Sequence, residues 1–108
     1  MNREDRLARN ETLFRDVNER IEQIRSDQEE TIDFLCECGK TECKDAIALN
    51  VAEYEHVRAD STTFAVAPGH AIADIEDVIS KAERFHVVRK HPDEQDIARE
   101  TDPRSRSG

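Results

Sequence analysis

Three cysteines fall within eight positions, Cys36-Glu37-Cys38-Gly39-Lys40-Thr41-Glu42-Cys43, and the chain has no others. This C-x-C-x4-C spacing constrains the fold more than any other feature. Along an extended chain, residues two apart project from the same face, yet their sulfurs meet at one ion only if the backbone bends after the first. Gly39 supplies that bend, because glycine enters left-handed conformations without steric penalty. An odd number of cysteines argues against a disulfide framework and for metal binding or thiol chemistry.

Thiolates hold Zn2+ in tetrahedral geometry, and structural zinc sites are closed by four protein ligands. With three cysteines, the fourth ligand has to be a histidine or a carboxylate. The chain offers His56, His70, His86 and His91. His56 falls beside the apolar face of a predicted helix, His86 alternates with Phe85 and Val87 in a predicted strand, and His91 opens a polar tail. His70 follows Pro68-Gly69, where a rigid residue beside a permissive one turns the backbone. The expected ligands are therefore Cys36, Cys38, Cys43 and His70, with Glu42 as an alternative fourth. Apart from Gly108, the only glycines stand beside Cys38 and His70. Metal-free buried thiols, a thiol redox site and a Cys3His iron–sulfur centre compete with this reading. Against the last, Cys43 is followed by Lys44-Asp45-Ala46 rather than by a nearby Asp-Gly and histidine. SWIM-type zinc modules share the C-x-C opening, but they close on C-x-H, which Cys43-Lys44-Asp45 lacks.

Composition says why a metal is useful here. Of 108 residues, 38% are charged and 36% hydrophobic, against about 25% and about 45–50% in ordinary globular chains. So small an apolar share suits one compact domain with polar flanks, held together by a crosslink. The formal net charge of −9 works against nucleic-acid binding, which depends on Lys and Arg neutralising phosphates. No apolar run approaches the roughly 18 residues of a membrane span, and the first thirty residues lack the apolar stretch of an export signal. A cytoplasmic location without membrane attachment is expected.

Residues 2–30 read as one helix. Leu7, Phe14 and Ile21 repeat every seven residues, with Asn10, Val17 and Ile24 as the second row of a possible coiled coil; the alternative is an amphipathic helix folded onto its own domain. Residues 31–36 and 46–49 read as short strands. Asn50 with Glu53 forms a capping box for a helix over 51–59. A strand over 64–67 stops at Pro68-Gly69, residues 75–81 fit either a short helix or a strand, and 84–90 is strand-like. Beyond His91-Pro92 only Ile97 is bulky and apolar, so 91–108 is expected to be disordered.

The segments Phe34-Leu35-Cys36-Glu37-Cys38-Gly39 with Cys43, Glu53-Tyr54-Glu55, and Phe64-x-Val66-x-Pro68-Gly69-His70 resemble a group of small uncharacterised actinobacterial proteins, and the likeness extends over nearly the whole chain. The resemblance implies that the cysteines and His70 form one unit. It carries no activity with it.

The expected architecture is α+β: an N-terminal helix over 1–30, a small zinc-knuckle domain over 31–90 with short strands and one or two short helices, and a disordered tail over 91–108. No H-E-x-x-H, phosphate-binding loop or nucleophile motif is present, and Glu37 and Glu42 read as solvated residues on the knuckle. The expected function is regulatory or adaptor work through protein contacts, with structural Zn2+ and a protein partner or second copy along the N-terminal helix. A nucleic-acid-binding regulator, using Arg3, Arg6, Arg9, Arg15, Arg20 and Arg25 as a basic edge, and a thiol or iron–sulfur redox sensor are the alternatives.

Overall fold

The computed structural model describes residues 3–24, 30–40 and 42–106. In chain order these form α1 (Arg3–Ile24), β1 (Ile32–Leu35), β2 (Ala46–Leu49), α2 (Val51–Arg58), β3 (Thr63–Val66), β4 (Glu76–Lys81), β5 (His86–Lys90) and α3 (Gln95–Glu100). Turns of 3-10 helix at Pro92–Glu94 and Pro103–Arg106 flank α3. The mixed helix-and-sheet class matches the expectation.

β1 and β2 pair antiparallel, with Ile32 opposite Leu49 and Leu35 opposite Ala46. The ladder continues one step further, the Cys36 N–H donating to the Asp45 carbonyl at 3.0 Å. A second antiparallel sheet runs β3-β5-β4. The two sheets meet at Glu37, whose N–H donates to the Ala65 carbonyl at 2.8 Å while its carboxylate accepts from the Ala65 N–H at 3.0 Å. Residues 76–81, ambiguous in sequence, are a strand. A bulge between Val78 and Ser80 breaks the register against β5, and the extra residue displaces the apolar positions from a period of two toward helical spacing.

The capping box forms as expected: Asn50 Oδ1 accepts from the Glu53 N–H at 2.8 Å, and the Glu53 carboxylate accepts from the Asn50 N–H at 2.9 Å. α2 buries Val51, Tyr54, Val57 and Arg58, and Tyr54 stacks on Phe34 with ring centroids 4.5 Å apart. β3 is buried on both faces. Its Thr63 hydroxyl donates to the Val57 carbonyl of α2 at 2.6 Å, whereas Phe64 lies under the Arg15 guanidinium of α1, 4.8 Å from the ring centre.

α1 packs on this core with a face that its apolar stripe marks only in part. Leu7 is buried, but so are Glu11, Arg15, Asn18 and Glu19, while Phe14, Val17 and Ile21 are only half-buried and Ile24 is 79% exposed. Each of these buried polar side chains has partners in the domain, although Arg15 Nε itself has none. The Lys90 ammonium donates to Glu11 at 2.6 Å and to Glu76 at 2.8 Å; Arg15 donates to the carbonyls of Ser61 and Ala98, both at 2.9 Å; Glu19 accepts from Arg58 at 2.5 Å. The intended extension of this helix past Ile24 through residues 25–29 lies outside the described residues.

The C-terminal segment also differs from the disorder expected of it. Residues 92–106 fold back as helical turns anchored by ion pairs and by the burial of Ala98 in the core. Asp102 is buried, pairs with Arg58 and accepts from the Ser61 hydroxyl; Arg104 donates to Glu19 at 2.8 Å and to Glu55 at 2.6 Å. Residues 107–108 lie outside the described residues.

Candidate metal centre

The site is assembled from three local devices. The first is strand alternation at the end of β1: Cys36 and Cys38 project to one side and Glu37 to the other. The second is Gly39, whose φ of 80° reverses the chain so that Lys40 to Cys43 closes a turn, the Cys43 N–H donating to the Lys40 carbonyl at 3.1 Å. The third is the turn after β3. There the His70 N–H donates to the Ala67 carbonyl at 3.0 Å, and Pro68 with Gly69 at φ 83° suits the central positions of a type II turn. The same turn aims the Ala67 N–H at the Cys36 sulfur, 3.1 Å away.

The outcome is one cluster. The sulfurs of Cys36, Cys38 and Cys43 and a ring nitrogen of His70 all lie within 4.8 Å of one another, with His70 Nδ1 at 3.5 Å from the Cys36 sulfur and 3.6 Å from that of Cys43. A metal about 2.3 Å from each sulfur and about 2.0–2.1 Å from the nitrogen places tetrahedral donors about 3.5–3.8 Å apart, and the two distances to His70 fall in that range. The arrangement is consistent with a metal site. Cys36 and Cys38 are buried, whereas Cys43 and His70 are half-buried at the edge of the domain.

The electrostatics separate the three thiols. Cys38 is drawn down to about 5, first by its hydrogen bond with Cys36, then against its burial by the Lys40 N–H, His70 and Cys43. Cys36 is pushed up, because Cys38 takes the shared hydrogen bond and burial penalises its charge. Burial pushes Cys43 up as well. Thiolates rather than thiols ligate metals, so Cys38 is the donor already prepared and a cation would displace the protons of the other two.

Two neighbours of the cluster were not legible in sequence. Asp45 Oδ2 lies 3.2 Å from His70 Nε2; a carboxylate only accepts, so it pairs with an Nε2–H and leaves Nδ1 as the ring nitrogen available to a metal. Glu37, read from sequence as a solvated knuckle residue, is fully buried. Its carboxylate accepts from Asn18 at 2.8 Å, from the Tyr54 hydroxyl at 2.9 Å and from Ala65. Burial raises its pKa against those bonds. It therefore joins β1, α1, α2 and β3 behind the two cysteines. Glu42, the alternative ligand, is exposed and is not among the clustered donors.

The other histidines stand elsewhere. His56 is exposed on α2, His86 sits half-buried in β5, and His91 Nε2 lies 3.2 Å from Asp77. Of the arginines proposed as a basic edge, Arg15 is fully buried, and the structural description of Arg25 lies outside the described residues. No helix among the described residues is long and apolar enough to cross a membrane. No protein-family model, curated protein or solved structure matches the chain.

Proposed function

We propose that this chain is a small zinc-binding protein whose metal is structural and whose work is regulatory or adaptor work through protein contacts. The observation that carries the reading is the convergence of Cys36, Cys38, Cys43 and His70 within 4.8 Å. Three thiolates and one imidazole are a common closed donor set for zinc. An iron–sulfur cluster distributes its ligands over more than one iron and wants them further apart, so the compact set favours a single ion. With all four tetrahedral positions taken by protein, no position remains for the water that hydrolytic zinc activates.

The adaptor half of the reading rests on the seven-residue stripe of α1, of which Phe14, Val17 and Ile21 are only half-buried by the chain itself. A second copy or a protein partner along that stripe is the form of contact we favour. The formal charge of −9 and the burial of Arg15 both weigh against nucleic acid.

Metal analysis of protein purified without added metal tests the site: close to one zinc per chain is expected, and a small fraction of an equivalent of any metal overturns it. Replacement by Co2+ gives the visible absorption of a tetrahedral, thiolate-rich site if the ligands are right. Sedimentation of the full chain tests the contact; a monomer at tens of micromolar concentration removes the self-association form.

A further inference from the structure

α1 touches the cysteine segment along a single ridge. Asn10, Phe14 and Asn18 are spaced four apart and so stack on one helix face. Asn10 Nδ2 donates to the Gly39 carbonyl at 2.8 Å. Phe14 lines one hollow with Leu35, Cys36, Cys43 and Asp45. Asn18 holds the backbone of Leu35 from both sides, accepting from its N–H at 2.7 Å and donating to its carbonyl at 2.9 Å, and also donates to Glu37 at 2.8 Å. The helix comes so close that a Cβ on Gly39 would sit 2.7 Å from the Leu7 carbonyl oxygen and 2.8 Å from the Glu11 side chain.

Residues 35, 37 and 39 thus present their backbone and carboxylate groups to α1 while residues 36, 38 and 43 present sulfur to the metal position. One short segment serves both. Its described residues between Cys38 and Cys43 contain no regular secondary structure, and the sulfurs have hydrogen bonds to one another, to His70 and to backbone N–H groups, with Cys36 and Cys38 also packed in the core.

We propose that metal occupancy controls the seating of α1 on the cysteine segment: the ion fixes the 35–43 segment in the one shape that the Asn10–Phe14–Asn18 ridge fits, and its loss loosens that seam, while Glu11, Arg15 and Glu19 keep the helix tied to Lys90, Ser61, Ala98 and Arg58. This rests on the metal-binding reading above and adds its regulation. The sheet β3-β5-β4 and α2, joined through Thr63, Val57 and the strand ladders, do not depend on the sulfur segment for their pairing and stay folded. Linkage requires the converse, that the seated ridge strengthens metal binding by the factor by which the metal strengthens seating.

Hydrogen exchange of the full reduced chain, with one equivalent of Zn2+ and after its removal by a chelator, reads the first half. Amides of Leu35, Cys36 and Glu37, which donate to Asn18, Asp45 and Ala65, should exchange at least tenfold faster without metal, while those of β5 keep their protection. Competition against a chromophoric chelator reads the second half: Asn10→Ala, which deletes only the bond to Gly39, and Asn18→Ala should each bind Zn2+ about 5–10-fold more weakly, at the lower end of usual coupling. A chain that binds zinc but shows unchanged exchange at residues 35–37, or that unfolds throughout when stripped, overturns this proposal and leaves the metal site standing. Unaltered affinity in both asparagine variants does the same. A chain that binds no zinc overturns the metal reading and this proposal together.

Discussion

Asp45 and His70 are joined across the cluster, Oδ2 to Nε2 at 3.2 Å, on the ring nitrogen opposite the one that faces Cys36 and Cys43. A carboxylate in that position fixes the imidazole tautomer and raises its basicity as a ligand, an effect usually measured as about 10–100-fold in metal affinity. Asp45 is more than half exposed, so Asp45→Asn should fall near the lower bound, about tenfold, with the metal stoichiometry unchanged. Zinc competition titration checks this; an unaltered dissociation constant removes Asp45 from the site.

Ligand identity separates the histidines. His70→Ala should abolish stoichiometric zinc, whereas His56→Ala, His86→Ala and His91→Ala should each retain it, since those side chains stand outside the clustered donors. Elemental analysis of the four purified variants decides the matter. Retention of zinc by His70→Ala, with loss in one of the others, would mean the wrong fourth ligand.

The two internal glycines should differ in their tolerance of alanine. Both have positive φ, 80° at Gly39 and 83° at Gly69, which costs an L-residue about 1–2 kcal/mol. At Gly69 nothing lies within 4 Å of an added Cβ, but at Gly39 it would strike the Leu7 carbonyl oxygen at 2.7 Å. Gly69→Ala should cost about 1 kcal/mol and Gly39→Ala about 3 kcal/mol or more, once overpacking is added. Urea denaturation of the zinc-loaded variants measures both; equal losses would contradict the close approach of α1.

Two carboxylates share one ammonium in the core, Glu11 and Glu76 on Lys90. Burial, opposed by Lys90, raises Glu11 from 4.5 to about 8. Its contribution to stability is then fully present below pH 4.5 and is lost as pH rises through about 8, because the folded state resists the ionisation that the unfolded chain allows. Glu11→Gln removes this titration while keeping an acceptor for Lys90. The stability of Glu11→Gln relative to the parent should therefore rise between pH 5 and pH 8.5, a comparison in which the shared thiol titrations cancel. A difference that does not change with pH refutes the assignment.

A buried charge chain ties the C-terminal segment to the core. Arg58 lies between Glu19 and Asp102 with its side chain inaccessible to solvent, and hydrogen bonds to Asp102 from Arg58 and from the Ser61 hydroxyl hold the Asp102 carboxyl below the usual range despite burial. Arg58→Ala takes a shared cation from two buried acids, Glu19 retaining Arg104, and should destabilise the chain by about 3–5 kcal/mol. The anchoring of residues 92–106 should fail with it, seen as new proteolytic cleavage after His91. Cleavage no faster than in the parent would show that the segment is held by other means.

Local rules carried the short elements. The Asn50–Glu53 capping box, the short strands β1 and β2 and the strand after Phe85 follow from turn chemistry and alternation, which act over a few residues. Residues 75–81 were ambiguous because a bulge at Ile79 disguises the period of a strand. The seven-residue stripe of α1 marks only part of its contact face, because the helix also buries Glu11, Arg15, Asn18 and Glu19.

What the sequence determined by itself is the donor set and the means of bending the chain around it: three cysteines in eight positions, one glycine at each turn, and His70 directly after Pro68-Gly69. Ligand spacing and turn preference are local, so they can be read without a fold. Only the tertiary structure decided that Glu11, Arg15, Asn18 and Glu37 go inside. A polar side chain is buried only where a partner satisfies it, and those partners stand far off in the chain, Lys90 being 79 residues from Glu11 and Ala98 being 83 from Arg15. Charge on a helix face therefore reads as solvent exposure until the fold supplies the opposite group.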